Sequence, residues 1–140
     1  MQQLPNNVQG ALRFLRTLYA ILIFSMVLDV IVAEKFGHHG ATLNNLFPWY
    51  LGAVGVALLG IAFWARMTFI RPALDRLLLK PDDSASLLKW RTGAILMAVL
   101  FESLVLVGFA LRFMGRAGIQ SIPFYAAGIG LMLLFRPRQP

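Results

Sequence analysis

The chain has 140 residues, 59% hydrophobic and only 14% charged, with 13 Lys and Arg against 6 Asp and Glu for a formal charge of +7. A soluble domain, usually about 45–50% apolar and about 25% charged, could not hide so much apolar surface, so one domain solvated by hydrocarbon is expected. The absence of cysteine excludes disulfides, thiolate zinc sites, iron–sulfur ligation and cysteine nucleophiles.

In chain order, the first ten residues, with Gln, Asn and Pro, read as a loose tail. A spanning helix needs roughly 20 apolar residues, about 17 at least, and Thr17 to Ala33 is the first stretch to meet that length. Arg13 and Arg16 before it resemble the start of a signal peptide. No small-x-small cleavage site follows, and Asp29 interrupts the run, so the segment is expected to be retained. The loop after it holds Gly37-His38-His39-Gly40 beside Glu34, residue types that bind zinc or copper. Adjacent histidines in a glycine-flanked turn point in different directions and lack a fixed third ligand, so no metal site is expected.

The second stretch runs from Phe47 to Ala65, the third from Thr92 to Leu111, and the fourth and shortest from Ile119 to Phe135, closed by Arg136-Pro137-Arg138. Trp49, Trp64 and Trp90 all fall at the ends of stretches, where amphipathic rings favour the membrane–water interface. Between the second and third stretches, Pro72 suits a first helical turn and Ala73 to Leu79 a short amphipathic helix. Pro81 would end it, and Asp82, Asp83 and Ser84 offer caps for the next helix.

The cations sort by side. Arg13, Arg16, Arg66, Arg71, Arg76, Lys80, Lys89, Arg91, Arg136 and Arg138 fall on one, and only Lys35, Arg112 and Arg116 on the other. The positive-inside bias then predicts a multi-pass protein of the bacterial inner membrane with both termini cytoplasmic. In a soluble chain this charge would suggest nucleic acid. Beside apolar stretches it points to anionic lipid headgroups at the cytoplasmic face, and no nucleic-acid partner is expected.

Shifted by 75 residues without a gap, the chain repeats. Arg16-Thr17 falls on Arg91-Thr92, Gly40 on Gly115, Gly55 on Gly130, and Pro48-Trp49-Tyr50 on Pro123-Phe124-Tyr125. The expected fold is therefore all-α, a polytopic four-helix membrane bundle of two parallel hairpin repeats. The repeats cover about 11–65 and 87–140, joined by a cytoplasmic linker at about 66–86.

Two acids interrupt the apolar stretches. Glu102 lies ten residues beyond Thr92, roughly 15 Å deep, where an ionised carboxylate costs at least about 2.5 kcal/mol. One reading is an ion-binding carboxylate that exchanges a proton or cation. The other is a protonated side chain bonded to a neighbouring helix. Asp29 lies only about 3 Å farther along the axis. It aligns with Leu104, two residues past Glu102, a rotation of roughly 200° that predicts different surroundings for the two carboxyls. Small residues form the other pattern: Gly52, Ala53, Gly55, Ala57 and Gly60 punctuate the second stretch and Ala126, Ala127, Gly128 and Gly130 the fourth, with Gly52, Ala53, Gly55, Ala57, Ala126 and Gly130 expected as the six packing positions. Ala53-x-x-x-Ala57 and Ala126-x-x-x-Gly130 let helix backbones approach, within one bundle or between subunits.

No phosphate loop, HExxH or Ser-His-Asp set occurs, no histidine falls inside a stretch to hold haem, and too few polar residues converge for lipid chemistry. Neither an enzyme nor a cofactor is expected.

From Gly52 to Leu111 the chain resembles the proteolipid (c) subunit hairpin of rotary ATP synthases. The matching features are Gly52, Gly55 and Gly60, then Arg71-Pro72, then Glu102 followed by Gly108. That resemblance implies that Glu102 binds a translocated ion. The set Trp90-Arg91-Thr92, Glu102 and Gly108 is also similar to small four-helix bacterial membrane proteins of uncharacterised function. The leading expectation is a non-enzymatic accessory or scaffold subunit that contacts other membrane subunits or itself. The alternative is proton or cation translocation through Glu102.

Overall fold

A computed structural model describes residues 6–37, 47–80, 83–114 and 118–136. Among them there is no strand. Four long helices form the fold: α1 (Asn6–Phe36), α2 (Phe47–Ala65), α4 (Ser84–Phe113) and α5 (Gly118–Leu134). A π-helical turn (Arg66–Ile70) carries α2 directly into the short α3 (Arg71–Leu79). Three helical stretches are long and apolar enough to cross a membrane: Val8–Phe36, Trp49–Leu79 and Ser84–Phe113. With 17 residues, α5 is about 26 Å long, just short of a hydrocarbon core of about 30 Å.

The bundle is built around α4. Half of its most apolar window is buried, against 17% for the windows of α1 and of α2–α3. Helix α4 packs on α1, α2 and α5, whereas α1 and α2 make no more than marginal contact among the described residues. Outward faces are apolar, with Phe24, Ile31, Val56, Phe63 and Leu133 all exposed. In water such surfaces would drive association; in lipid they are the solvated side.

Two cores follow from this. The main one joins Tyr19, Met26, Phe101, Leu104, Val105 and Met132. The second gathers Val8, Leu12 and Leu15 of α1 with Ala73 and Leu77 of α3 and Trp90 of α4. This second core corrects two expectations. Residues 6–10 are helical rather than a loose tail, because Val8, Leu12 and Leu15 recur at helical spacing and cover α3. Trp90 is 3% exposed rather than an interfacial anchor, because α1 and α3 enclose it. Trp49 and Trp64 are exposed, as an interface requires.

The linker is mostly helix. Pro72 has no N–H to give Thr68, and its ring would clash with that carbonyl. The ladder widens just before it, and Arg71 N–H bonds to the Arg66 carbonyl five residues back, so the chain turns without breaking. The turn lies tight on α4: a Cβ at Gly93 would meet Ile70 Cγ1 at 2.9 Å and Phe69 Cβ at 3.0 Å. Helix α4 then starts from an Asp83 cap, whose carboxylate accepts from Ala85 N–H (3.1 Å) and the Ser86 hydroxyl (2.6 Å). The Ser86 hydroxyl foremost holds the Asp83 carboxyl below its ordinary 3.8. Pro81 and Asp82 lie outside the described residues.

Candidate functional site

Along α4, Ala98, Phe101, Leu104, Val105 and Gly108 turn inward, and Val99 and Leu106 turn outward. Glu102 sits between these faces and is half-buried. On α1, Asp29 is also half-buried, between the fully covered Met26 and Ala33. The two carboxyls lie within electrostatic reach of each other. Neither forms a hydrogen bond or ion pair among the described residues.

Helix geometry brings the two acids to one flank of the α1–α4 seam. Helices α1 and α4 run parallel, with Phe14 against Arg91, Tyr19 against Ala94 and Gly37 against Arg112. The Tyr19 hydroxyl donates to the Ala94 carbonyl at 3.0 Å, marking the middle of the seam. From that contact, ten residues along α1 rotate by roughly 280° and eight along α4 by roughly 80°, which are equal and opposite offsets. Opposite rotations on two parallel facing helices lead to the same side of the seam. Asp29 and Glu102 therefore share one groove.

Other polar groups continue toward the far end of the same helices. Arg112 is buried and pairs with the half-exposed Glu34 at 3.1 Å, tying α4 to the end of α1. Gly37 makes this possible, since a Cβ there would meet Arg112 Cγ at 2.8 Å. The ring of Tyr125 on α5 packs on Gly108. Glu34 and Arg112 thus stand beyond Asp29 and Glu102 on α1 and α4, with Tyr125 packed against Gly108 between them. Sequence reasoning placed Arg112 only as a cation of the outer side and missed its pairing. The signal available was the separation of 78 residues from Glu34, close to the repeat spacing of 75. His38 and His39 lie outside the described residues.

The small residues divide between the bundle interior and its outward surface. Of the six, Gly55 alone packs against another helix, with a Cβ there meeting Phe124 Cε1 at 2.7 Å. Gly52 and Gly130 have open space where a Cβ would stand, and Ala53, Ala57 and Ala126 are exposed. The close approach within the chain occurs at Gly108 and Gly128 instead. A Cβ at Gly128 would meet Val105 Cγ2 at 2.5 Å and the Phe101 carbonyl at 2.7 Å. Spacing alone does not say which face of a helix meets a neighbour, so it leaves packing within the bundle and contact with another subunit both open.

No family model, curated protein or solved structure matches the chain. The geometry of the acid pair and its groove carries the functional reading.

Proposed function

We propose that this chain is a non-enzymatic, multi-pass protein of the bacterial inner membrane that serves as an accessory or scaffold subunit of a membrane assembly. All four long helices cross the bilayer, with both termini and the cation-rich end in the cytoplasm. The carrying observation is the position of Asp29 and Glu102, half-buried on the same side of the α1–α4 seam. Neither of the two cavities near the opposite end of the bundle includes them. A carboxylate left against lipid is costly, so a donor or cation from a lateral neighbour is the economical partner. Exposed Ala53, Ala57 and Ala126 add surfaces on which a second helix can approach closely.

The test is a mild-detergent pull-down from native membranes, comparing wild type with a D29N/E102Q variant. A defined subunit should co-purify stoichiometrically with wild type and be lost from the variant, which keeps its helical content. A wild-type chain that purifies alone contradicts the reading.

A second reading has its own observation. Glu34 and Arg112, then Tyr125 on Gly108, then Glu102 succeed one another along the bundle, which suits proton or cation translocation with Glu102 as the binding carboxylate, the role the proteolipid resemblance implies. Proton flux by the purified chain in liposomes, abolished by E102Q alone, would favour it over the scaffold role.

A further inference from the structure

At the other end of the bundle, the cytoplasmic one on the reading above, a cavity of about 520 Å³ opens between α1, the π-turn, α4 and the end of α5. Arg66, Arg71 and Arg136 line it, and no aspartate or glutamate does. Its volume lies within the roughly 300–1,000 Å³ of small-ligand sites. The π-turn shapes its wall. Residues five apart in an α-helix point about 140° apart, but the wider turn closed by Arg71 N–H on the Arg66 carbonyl brings both arginines to one cavity. Tyr19 and Trp90 provide an aromatic lining.

A second, apolar hollow of about 190 Å³ adjoins it, lined by Leu59, Phe63, Phe101 and Leu131 and sharing Arg66 and Phe135 with the first. The Arg66 guanidinium lies over the Phe135 ring, 4.3 Å from its centre, at the junction of the two spaces. Leu59 precedes Arg66 by seven residues, about 10 Å deeper along α2. Arg66 and Phe135 therefore border both spaces, a cationic one at headgroup level and an apolar one at acyl-chain level.

We propose that these joined spaces hold one anionic phospholipid of the cytoplasmic leaflet. Its phosphate sits among Arg66, Arg71 and Arg136, where guanidinium groups bind phosphate oxygens in pairs, and one acyl chain fills the hollow. This rests on the membrane-spanning reading but is independent of any role for Glu102. A surface that merely attracted headgroups would need neither an arginine-lined cleft nor an apolar hollow beside it.

Native mass spectrometry of the delipidated chain in neutral detergent tests it, with phosphatidylglycerol and phosphatidylcholine of identical chains as probes. One phosphatidylglycerol should be retained per chain, at least tenfold more tightly than phosphatidylcholine. R66Q/R71Q/R136Q should abolish that preference, while R13Q/R16Q/K89Q, removing as many charges from the same end, should keep it. L131W, which fills the hollow and leaves every arginine, should weaken phosphatidylglycerol about tenfold. Equal binding of the two lipids, equal loss in both triple variants, or full-strength binding of phosphatidylglycerol by L131W would overturn the proposal. Displacement of the lipid by equimolar inorganic phosphate would do so too, because the hollow would then contribute nothing. Failure of the membrane reading itself would look different: wild type would stay monodisperse in buffer without detergent.

Discussion

Helices α4 and α5 approach so closely that a methyl group on Gly108 would strike the Tyr125 ring at 2.7 Å and one on Gly128 the Phe101 carbonyl at 2.7 Å. Their counterparts 75 residues earlier, α1 and α2, barely meet. The same offset carries Gly108 to Ala33, Gly128 to Ala53, Val105 to Val30 and Tyr125 to Tyr50. The first hairpin thus has a methyl group at both points where the second needs none. Tyr125 is buried and Tyr50 is 68% exposed. Close packing leaves no room for added atoms at such points, so a methyl group there opposes closure of a helix pair. With α2 lodged on α4 instead, α1 is held by its seam with α4, and the acid pair lies on one flank of that seam.

The strongest way to break this contrast is G128V. The added atoms would overlap Val105 and the Phe101 carbonyl, and overpacking of this kind costs about 2–3 kcal/mol. Thermal unfolding in detergent should register the loss, and the far-ultraviolet spectrum should show whether α5 detaches. Next in size is D83A, which removes the cap of α4, the helix both hairpins share. The depressed carboxyl makes the direction of its pH dependence definite: the contribution is present above the ordinary 3.8 and fades as pH falls through the lower native value. Wild type and D83A should differ at neutral pH and converge in strong acid.

E34Q should cost less, up to about 1 kcal/mol, because Glu34 is about half exposed and solvent screens its pair with Arg112. That variant asks how far the ion pair, rather than α2, secures the end of α1. The smallest effect is expected from A53V, the counterpart of G128V in the open hairpin. Its side chain faces outward, so stability should stay within about 0.5 kcal/mol of wild type. A large loss there would mean that α2 has a close neighbour at Ala53.

Much of the architecture could be read from the chain. Apolar length and the cation-ended stretches locate all four long helices, and Pro72 and Asp83 fall at the starts of α3 and α4 as their chemistry suggests. What escaped was facing. Small-residue spacing at Ala53 and Ala57 satisfies the pattern for close packing yet points away from the bundle, while Gly128, from the same small-residue pattern in the fourth stretch, carries the tightest contact between helices. The two acids were legible as a pair at similar depth, but their facing was not, for a related reason. A rotation of roughly 200° between repeat positions was read as separation, although two facing parallel helices bring opposite flanks together. The π-turn left only Pro72 as its trace, and a proline by itself reads equally well as a new helix start.

The absence of cysteine permits one direct test of the open and closed hairpins. Paired cysteines at Val105 and Gly128, and separately at Val30 and Ala53, should be oxidised in native membranes; a disulfide needs Cβ atoms about 3.5–4.5 Å apart. The account predicts near-complete closure of the V105C/G128C pair and none of V30C/A53C. Equal cross-linking of both pairs would mean that α2 lies against α1 after all, and would contradict the open first hairpin.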